Sequence, residues 1–188
     1  MKTNNRQLLD KLIEITKNNI NAAEHLKQWS IEILNQKPHA TAWNALECLE
    51  HLNLYSLFYL PELQKRITVE TKVTSVDFKS GIIGNMLVNM VIPKEGVKKM
   101  KTFKTMDPNN KLLDSNVIDI FIKDQQELLV LLNKSYSINL NKIIIPVTFS
   151  KLLKLKIGDT LRFMAFHNQR HVQQAVRAVA PYLDREIS

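Results

Sequence analysis

Apolar residues recur at helical spacing in four long segments, and this pattern limits the chain to a small number of folds. The segments predict helices at about residues 4–27, 44–67, 116–134 and 159–180. A long connection, residues 68–114, joins the second and third helices and is predicted to hold a short helix near 84–91. Residues 143–147 are predicted to be extended. One long crossover with otherwise short connections predicts an all-α four-helix bundle, a single domain over residues 1–188.

Specific residues mark where these helices begin and bend. Asn44 is a good N-cap, and Glu47 three residues later completes a pattern typical of a capping box. Asp159 is predicted to cap the fourth helix. Pro61 lies inside the second helix and is expected to bend or break it.

The second helix carries two apolar stripes, whereas an exposed helix needs only one. One stripe includes the site residues discussed below. The other consists of leucines on roughly the opposite face, namely Leu46, Leu49, Leu57, Leu60 and Leu63. We expect the crossover or a second subunit to cover this stripe, and on that ground a homodimer is predicted.

The composition limits the cellular compartment and the classes of binding partner that are expected. The single cysteine, Cys48, excludes an internal disulfide, and no signal-type or membrane-spanning apolar run is present, so a cytoplasmic protein is expected. The formal charge of +8 permits binding to acidic partners. Because no nucleic-acid motif is present and aromatic residues are not interleaved with basic ones, nucleic acid is not expected. Lysines cluster in the crossover: Lys94, Lys98, Lys99, Lys101 and Lys104.

Three histidines fall where they could share one interior point. His167 and His171 are four residues apart, so they lie on the same face of the fourth helix. His51 is on the inner face of the second helix. Three imidazoles would hold a divalent ion such as zinc or nickel and leave a coordination position open, which is typical of catalytic sites. The alternative is a set of hydrogen-bonded core histidines. His25 and His39 are expected at the surface.

Five further residues are candidates for the chemistry around such a site. Glu47 lies one turn before His51 and is either only a helix cap or also a general base. Tyr55, one turn after His51, is predicted to offer a hydroxyl to a bound ligand, with plain packing as the alternative. Arg170 and Gln174 are candidates for binding a cofactor or an anionic substrate. Cys48 could be a soft ligand, although a lone helical cysteine is more often a small core residue.

Two segments resemble the DinB/YfiT-like superfamily. Residues 43–52, Trp-Asn-Ala-Leu-Glu-Cys-Leu-Glu-His-Leu, are similar to its Trp-Ser-x-x-Glu-x-x-x-His segment, with Asn44 in place of the commoner serine. Residues 155–163, followed by His-Asn-Gln-Arg-His at 167–171, resemble its closing segment with the paired histidines.

The resemblance implies a four-helix bundle, often dimeric, with a divalent metal on His51, His167 and His171. Characterised members of the superfamily include S-transferases and isomerases that use bacillithiol or mycothiol, and other members are regarded as metal-dependent hydrolases. The expected function is therefore that of an enzyme acting on a small molecule through a metal-activated thiol or water, with a low-molecular-weight thiol as a candidate cofactor. The alternatives are a non-catalytic bundle with a basic binding surface and a relative that keeps the fold with an empty site.

Overall fold

Four long helices build the protein, whose computed structural model describes residues 1–67, 75–93, 102–109, 111–148 and 150–185. They are α1 (Asn5–Leu26), α3 (Ala45–Ile67), α5 (Asn116–Lys134) and α6 (Ile157–Val179). Both α1 and α3 pack along α5 and α6, so α1 and α3 occupy opposite corners of the bundle. The predicted four-helix bundle, with its long crossover between the second and third long helices, is confirmed.

Shorter elements decorate the bundle. The helix predicted in the crossover is α4 (Ile82–Val91), and a single turn, α2 (Ile31–Leu34), interrupts the first connection. Two antiparallel pairs of short strands are also present: β1 (Lys2–Asn4) with β2 (Asp77–Lys79), and β3 (Ile144–Val147) with β4 (Ser150–Lys156). Of these strands, only the extended segment at β3 was predicted. Strands β1 and β2 have three residues each, which is too short to show the alternation that identifies strands in a sequence.

The leucine stripe on the back of α3 is largely buried within one chain. Leu46, Leu49, Leu60 and Leu63 are at most 4% exposed, whereas Leu57 is 73% exposed. Leu46 and Leu49 lie in an apolar cluster with Val117 and Phe121 of α5. The expectation that only the crossover or a second subunit could cover this stripe was therefore wrong, because a neighbouring bundle helix does so. The homodimer stays a prediction without that argument.

The start of α3 is fixed by a reciprocal capping box. The Glu47 backbone N–H donates to Asn44 Oδ1 at 2.7 Å, and the Asn44 backbone N–H donates to Glu47 Oε2 at 3.0 Å. From there α3 continues through Pro61, so the predicted break is absent. The missing N–H of Pro61 deprives the carbonyl of Leu57 of its helical partner, and both residues lie on the exposed side of the helix.

Replacing Asn44 tests the cap. Asn44→Ala removes the acceptor for the Glu47 N–H, and we expect a loss of about 1 kcal/mol in the free energy of unfolding. For a chain of this size, that corresponds to a fall in melting temperature of about 2–4 °C. Asn44→Ser keeps an N-cap acceptor and should melt within about 1 °C of the parent. Melting is measured by circular dichroism. Equal melting temperatures of Asn44→Ala and the parent would show that the cap contributes nothing to stability.

Asp159 does not cap its own helix, so this prediction was wrong. Helix α6 begins at Ile157, and its N-cap residue, Lys156, makes no side-chain cap bond. The carboxylate of Asp159 instead accepts from the backbone N–H of Gly81 at 2.8 Å, and it also contacts Ser80 and Arg162. Asp159 therefore ties the start of α4 to α6, a partnership that spacing along α6 cannot reveal.

Two further expectations concern the lysines of the crossover and the presence of membrane-spanning helices. Lys94, Lys98, Lys99 and Lys101 lie outside the described residues, and Lys104 is exposed. Among the helices that the structure describes, none combines the length and the apolar character needed to cross a bilayer.

Candidate metal centre

The three histidines converge inside the bundle. His51 comes from α3, and His167 and His171 come from successive turns of α6, which packs against α3. One nitrogen from each ring lies within 4.8 Å of the others, and the Nε2 atoms of His51 and His167 are 3.2 Å apart. His51 and His167 are buried, and His171 is half-buried. The structure thus brings together the three residues that were predicted as metal ligands.

Hydrogen bonds orient two of the rings. Nδ1 of His51 lies 2.6 Å from the backbone carbonyl of Met106. A carbonyl can only accept, so Nδ1 carries the proton and Nε2 keeps a free lone pair. In the same way, Nδ1 of His171 donates to Oε1 of Gln174 at 3.0 Å. Bonds of this kind, from the outer nitrogen to an oxygen, are usual for metal-binding histidines.

The donor set and the spacing fit a divalent ion. Imidazole nitrogens bind zinc at about 2.0–2.1 Å, so two ligands of one ion lie about 3.0–3.4 Å apart. The 3.2 Å between His51 and His167 falls in that range. Nδ1 of His167 is buried without a hydrogen-bond partner among the described residues, and its Nε2 points at the shared centre. The three histidines therefore fit the divalent metal ion that their pattern in the sequence implies.

Burial keeps these imidazoles neutral. It lowers the pKa of His51 to about 4. It also lowers the pKa of His167 and of His171 well below the usual value, and the neighbouring rings and the Arg170 charge add to the effect. A metal ligand must offer a lone pair, so the three rings are in the ligand form at neutral pH.

A cavity of about 140 Å³ opens onto the histidine cluster. Its described lining combines the cluster with aromatic, aliphatic and polar side chains: Trp43, His51, Tyr55, Val91, Thr102, Phe103, His167, Arg170, His171 and Gln174. None of these described lining residues is an aspartate or a glutamate. The cavity therefore places a cationic side chain and a histidine cluster among largely apolar walls.

Three of the five further candidates, Tyr55, Arg170 and Gln174, line this cavity. The Tyr55 ring lies 4.9 Å from the His51 ring and 4.6 Å from the His167 ring, between centroids. Burial raises the pKa of Tyr55, so its hydroxyl stays protonated at neutral pH. Gln174 orients His171, and Arg170 donates to the Met90 carbonyl at 3.3 Å.

Glu47 and Cys48 lie elsewhere. Glu47 is buried in the capping box with Asn44 and forms an ion pair with Lys37 at 3.1 Å. It does not belong to the described cavity lining, and its catalytic role stays a prediction. Cys48 is fully buried, and burial raises the pKa of its thiol, so the thiolate form that binds metals is disfavoured. Cys48 is therefore a core residue, whereas His25 and His39 are exposed, as expected.

Several lining residues were not identified from the sequence. The Trp43 ring lies 4.8 Å from the His51 ring and 5.7 Å from the His171 ring, between centroids. The signals for this were its position next to the N-cap of α3 and its place at the start of the superfamily-like segment that contains His51. Val91, Thr102 and Phe103 come from the crossover, whose path over the bundle no helical periodicity predicts. The crossover also supplies Met106, whose carbonyl orients His51.

Comparison with known proteins agrees with this architecture. YfiT from Bacillus subtilis, described as a probable metal-dependent hydrolase with an unusual four-helix bundle topology, superposes with a TM-score of 0.57. The match covers 92% of this chain and 86% of that one at 11% sequence identity, and it supports the fold. No curated protein sequence matches the chain. The family model of the DinB superfamily matches residues 15–175, and the chain belongs to this superfamily.

Proposed function

We propose that the protein is a metal-dependent hydrolase of small molecules, with one divalent ion held by His51, His167 and His171. The observation that carries this proposal is the convergence of three neutral imidazoles, two buried and one half-buried, at a solvent-accessible cavity. The description of YfiT as a probable metal-dependent hydrolase supports the same reaction class. Zinc, nickel or a similar ion suits a site of three nitrogen ligands.

The ion would supply Lewis acidity, lowering the pKa of a coordinated water or polarising a substrate carbonyl. The protein's own groups hold and orient the ligands. Met106 and Gln174 fix the tautomers of His51 and His171 through their oxygen atoms. The rings of Tyr55 and Phe163 pack against His167, with the Phe163 ring stacked at 5.1 Å between centroids. These contacts leave the imidazoles little freedom to turn away from the centre.

Substrate binding is assigned to the remaining lining residues. Tyr55 keeps its proton at neutral pH, so we assign its hydroxyl a hydrogen-bonding role toward the substrate rather than that of a base. Arg170 provides a positive charge beside the histidine cluster. Gln174 orients His171 and also forms part of the polar surface of the cavity.

The test is reconstitution followed by two activity screens. The protein is stripped with a chelator, reloaded with zinc, nickel, cobalt or manganese, and analysed for metal content. We expect one equivalent of metal and hydrolysis of small activated esters or amides only by the loaded protein. A parallel screen follows conjugation of low-molecular-weight thiols to chlorinated or epoxide substrates. Conjugation without hydrolysis would replace the hydrolase by the S-transferase, and absence of stoichiometric metal would reject both.

A further inference from the structure

We propose that the ligand of this cavity is a small carboxylate that carries an aromatic or branched apolar group. This inference rests on the proposed function and adds the substrate class. Three features support it, namely the charge of the cavity, the character of its walls and the shape of the cationic group that it contains.

The cavity is positively charged. Arg170 is the cationic side chain among the described lining residues, and no described lining residue is acidic. A divalent ion on three neutral histidines would add two positive charges. An anionic ligand would balance part of this charge, whereas a cationic ligand would be repelled.

Arg170 is free to take an anion. Its observed hydrogen bond is a single long one, at 3.3 Å, to the backbone carbonyl of Met90. In the part of the chain that the structure describes, the ion pairs found do not include Arg170. A guanidinium presents five donors in a planar fork, so most of its hydrogen-bonding capacity remains for a ligand.

The walls favour an apolar body on the ligand. Trp43, Val91 and Phe103 line the cavity, and the Phe103 side chain is 52% exposed at its rim. Exposed aromatic surface beside a pocket is covered favourably by an apolar ligand group. A ligand with a charged end at Arg170 and an apolar body against these walls uses both features.

A carboxylate fits this setting better than a phosphate ester. One arginine can pair with a carboxylate through two parallel hydrogen bonds. Phosphate sites usually add backbone N–H groups at a helix N-terminus or several basic side chains, and the described lining includes no lysine and no second arginine. The volume of about 140 Å³ also limits the ligand to a small molecule.

The experiment is calorimetric titration of the full chain, both zinc-loaded and chelator-stripped, with four matched probes. Phenylacetate has both the charge and the apolar body, phenylacetamide lacks the charge, acetate lacks the body, and phenyl phosphate changes the anion. We expect phenylacetate to bind about 10- to 100-fold more tightly than phenylacetamide, because a charged hydrogen bond is lost in the amide. Acetate and phenyl phosphate should both bind more weakly than phenylacetate.

Variants assign the preference to Arg170. Arg170→Met should reduce the ratio of phenylacetate to phenylacetamide affinity to near one in the stripped protein. Arg177→Met, at an exposed position on the same helix, should leave the ratio unchanged. Equal binding of phenylacetate and phenylacetamide by the parent, a ratio that survives Arg170→Met, or a preference for phenyl phosphate would overturn the inference. Metal content is measured separately, so failure of the metal site would be distinguished from failure of the carboxylate preference.

Discussion

His167→Ala should leave the protein folded and largely unable to hold the proposed metal. Nε2 of His167 lies 3.2 Å from Nε2 of His51, at the centre of the cluster. Loss of a residue that merely orients a ligand typically weakens metal binding about 10- to 100-fold, so loss of a ligand should weaken it at least about 100-fold. We expect elemental analysis after gel filtration to find well below one equivalent of zinc, and hydrolysis to fall to the level of the stripped parent.

A second histidine variant tests whether removing an imidazole outside the cluster also reduces the metal content. His25 lies on α1, is exposed and takes no part in the cluster, so His25→Ala should retain one equivalent of zinc. Circular dichroism of both variants in chelator would show whether the fold survives without the metal. Retention of stoichiometric zinc by folded His167→Ala, with an unchanged dissociation constant, would refute the three-histidine site.

The bundle and its histidine pair were accessible from the sequence because both depend on local spacing. His167 and His171 share a face by helical geometry alone, and the capping box fixes the register of α3, hence the side on which His51 lies. Once two such helices pack together, inward residues at matching heights meet. The convergence of His51, His167 and His171 could therefore be predicted before any tertiary contact was known.

The rest of the site depends on a segment without periodicity. Val91 and Phe103 line the cavity and Met106 orients His51, yet all three belong to the crossover. Whether these residues lie next to the histidines depends on how α4 packs against α6 and on the path of the chain after α4. Long-range contacts such as that of Asp159 with Gly81 determine this path, and local sequence spacing does not reveal them.

Glu47 shows what the spacing of residues along a helix cannot predict. Its position one turn before His51 suggested chemistry at the cluster, and that role stays a prediction, but both of its carboxylate oxygens have other partners. One accepts the Asn44 N–H, and the other forms the ion pair with Lys37. Sequence spacing places a residue on a helix, but the competing partners decide what its side chain does.

Breaking the buried ion pair between Asp159 and Arg162 should strongly destabilise the fold. The two side chains are 1% and 3% exposed and meet at 3.0 Å. Asp159 also accepts from Gly81 and contacts Ser80, and α4 packs so closely that Gly84 faces its carboxylate. Asp159→Ala leaves the Arg162 charge buried and unpaired, which typically costs about 3–5 kcal/mol. For a chain of this size, the melting temperature should fall by about 6–20 °C.

The double variant Asp159→Ala/Arg162→Met separates the pair from the rest of the packing. Because it removes both charges, it should be more stable than Asp159→Ala alone, since a buried pair replaced by apolar groups is often close to neutral. Urea unfolding is measured in chelator, so that metal binding does not contribute to the stability. If Asp159→Ala unfolds at the parent's urea concentration, neither the ion pair with Arg162 nor the Asp159 contacts to Ser80 and Gly81 stabilise the fold. If it is destabilised and the double variant is worse still, the loss comes from the Asp159 contacts to Ser80 and Gly81 and not from the stranded charge.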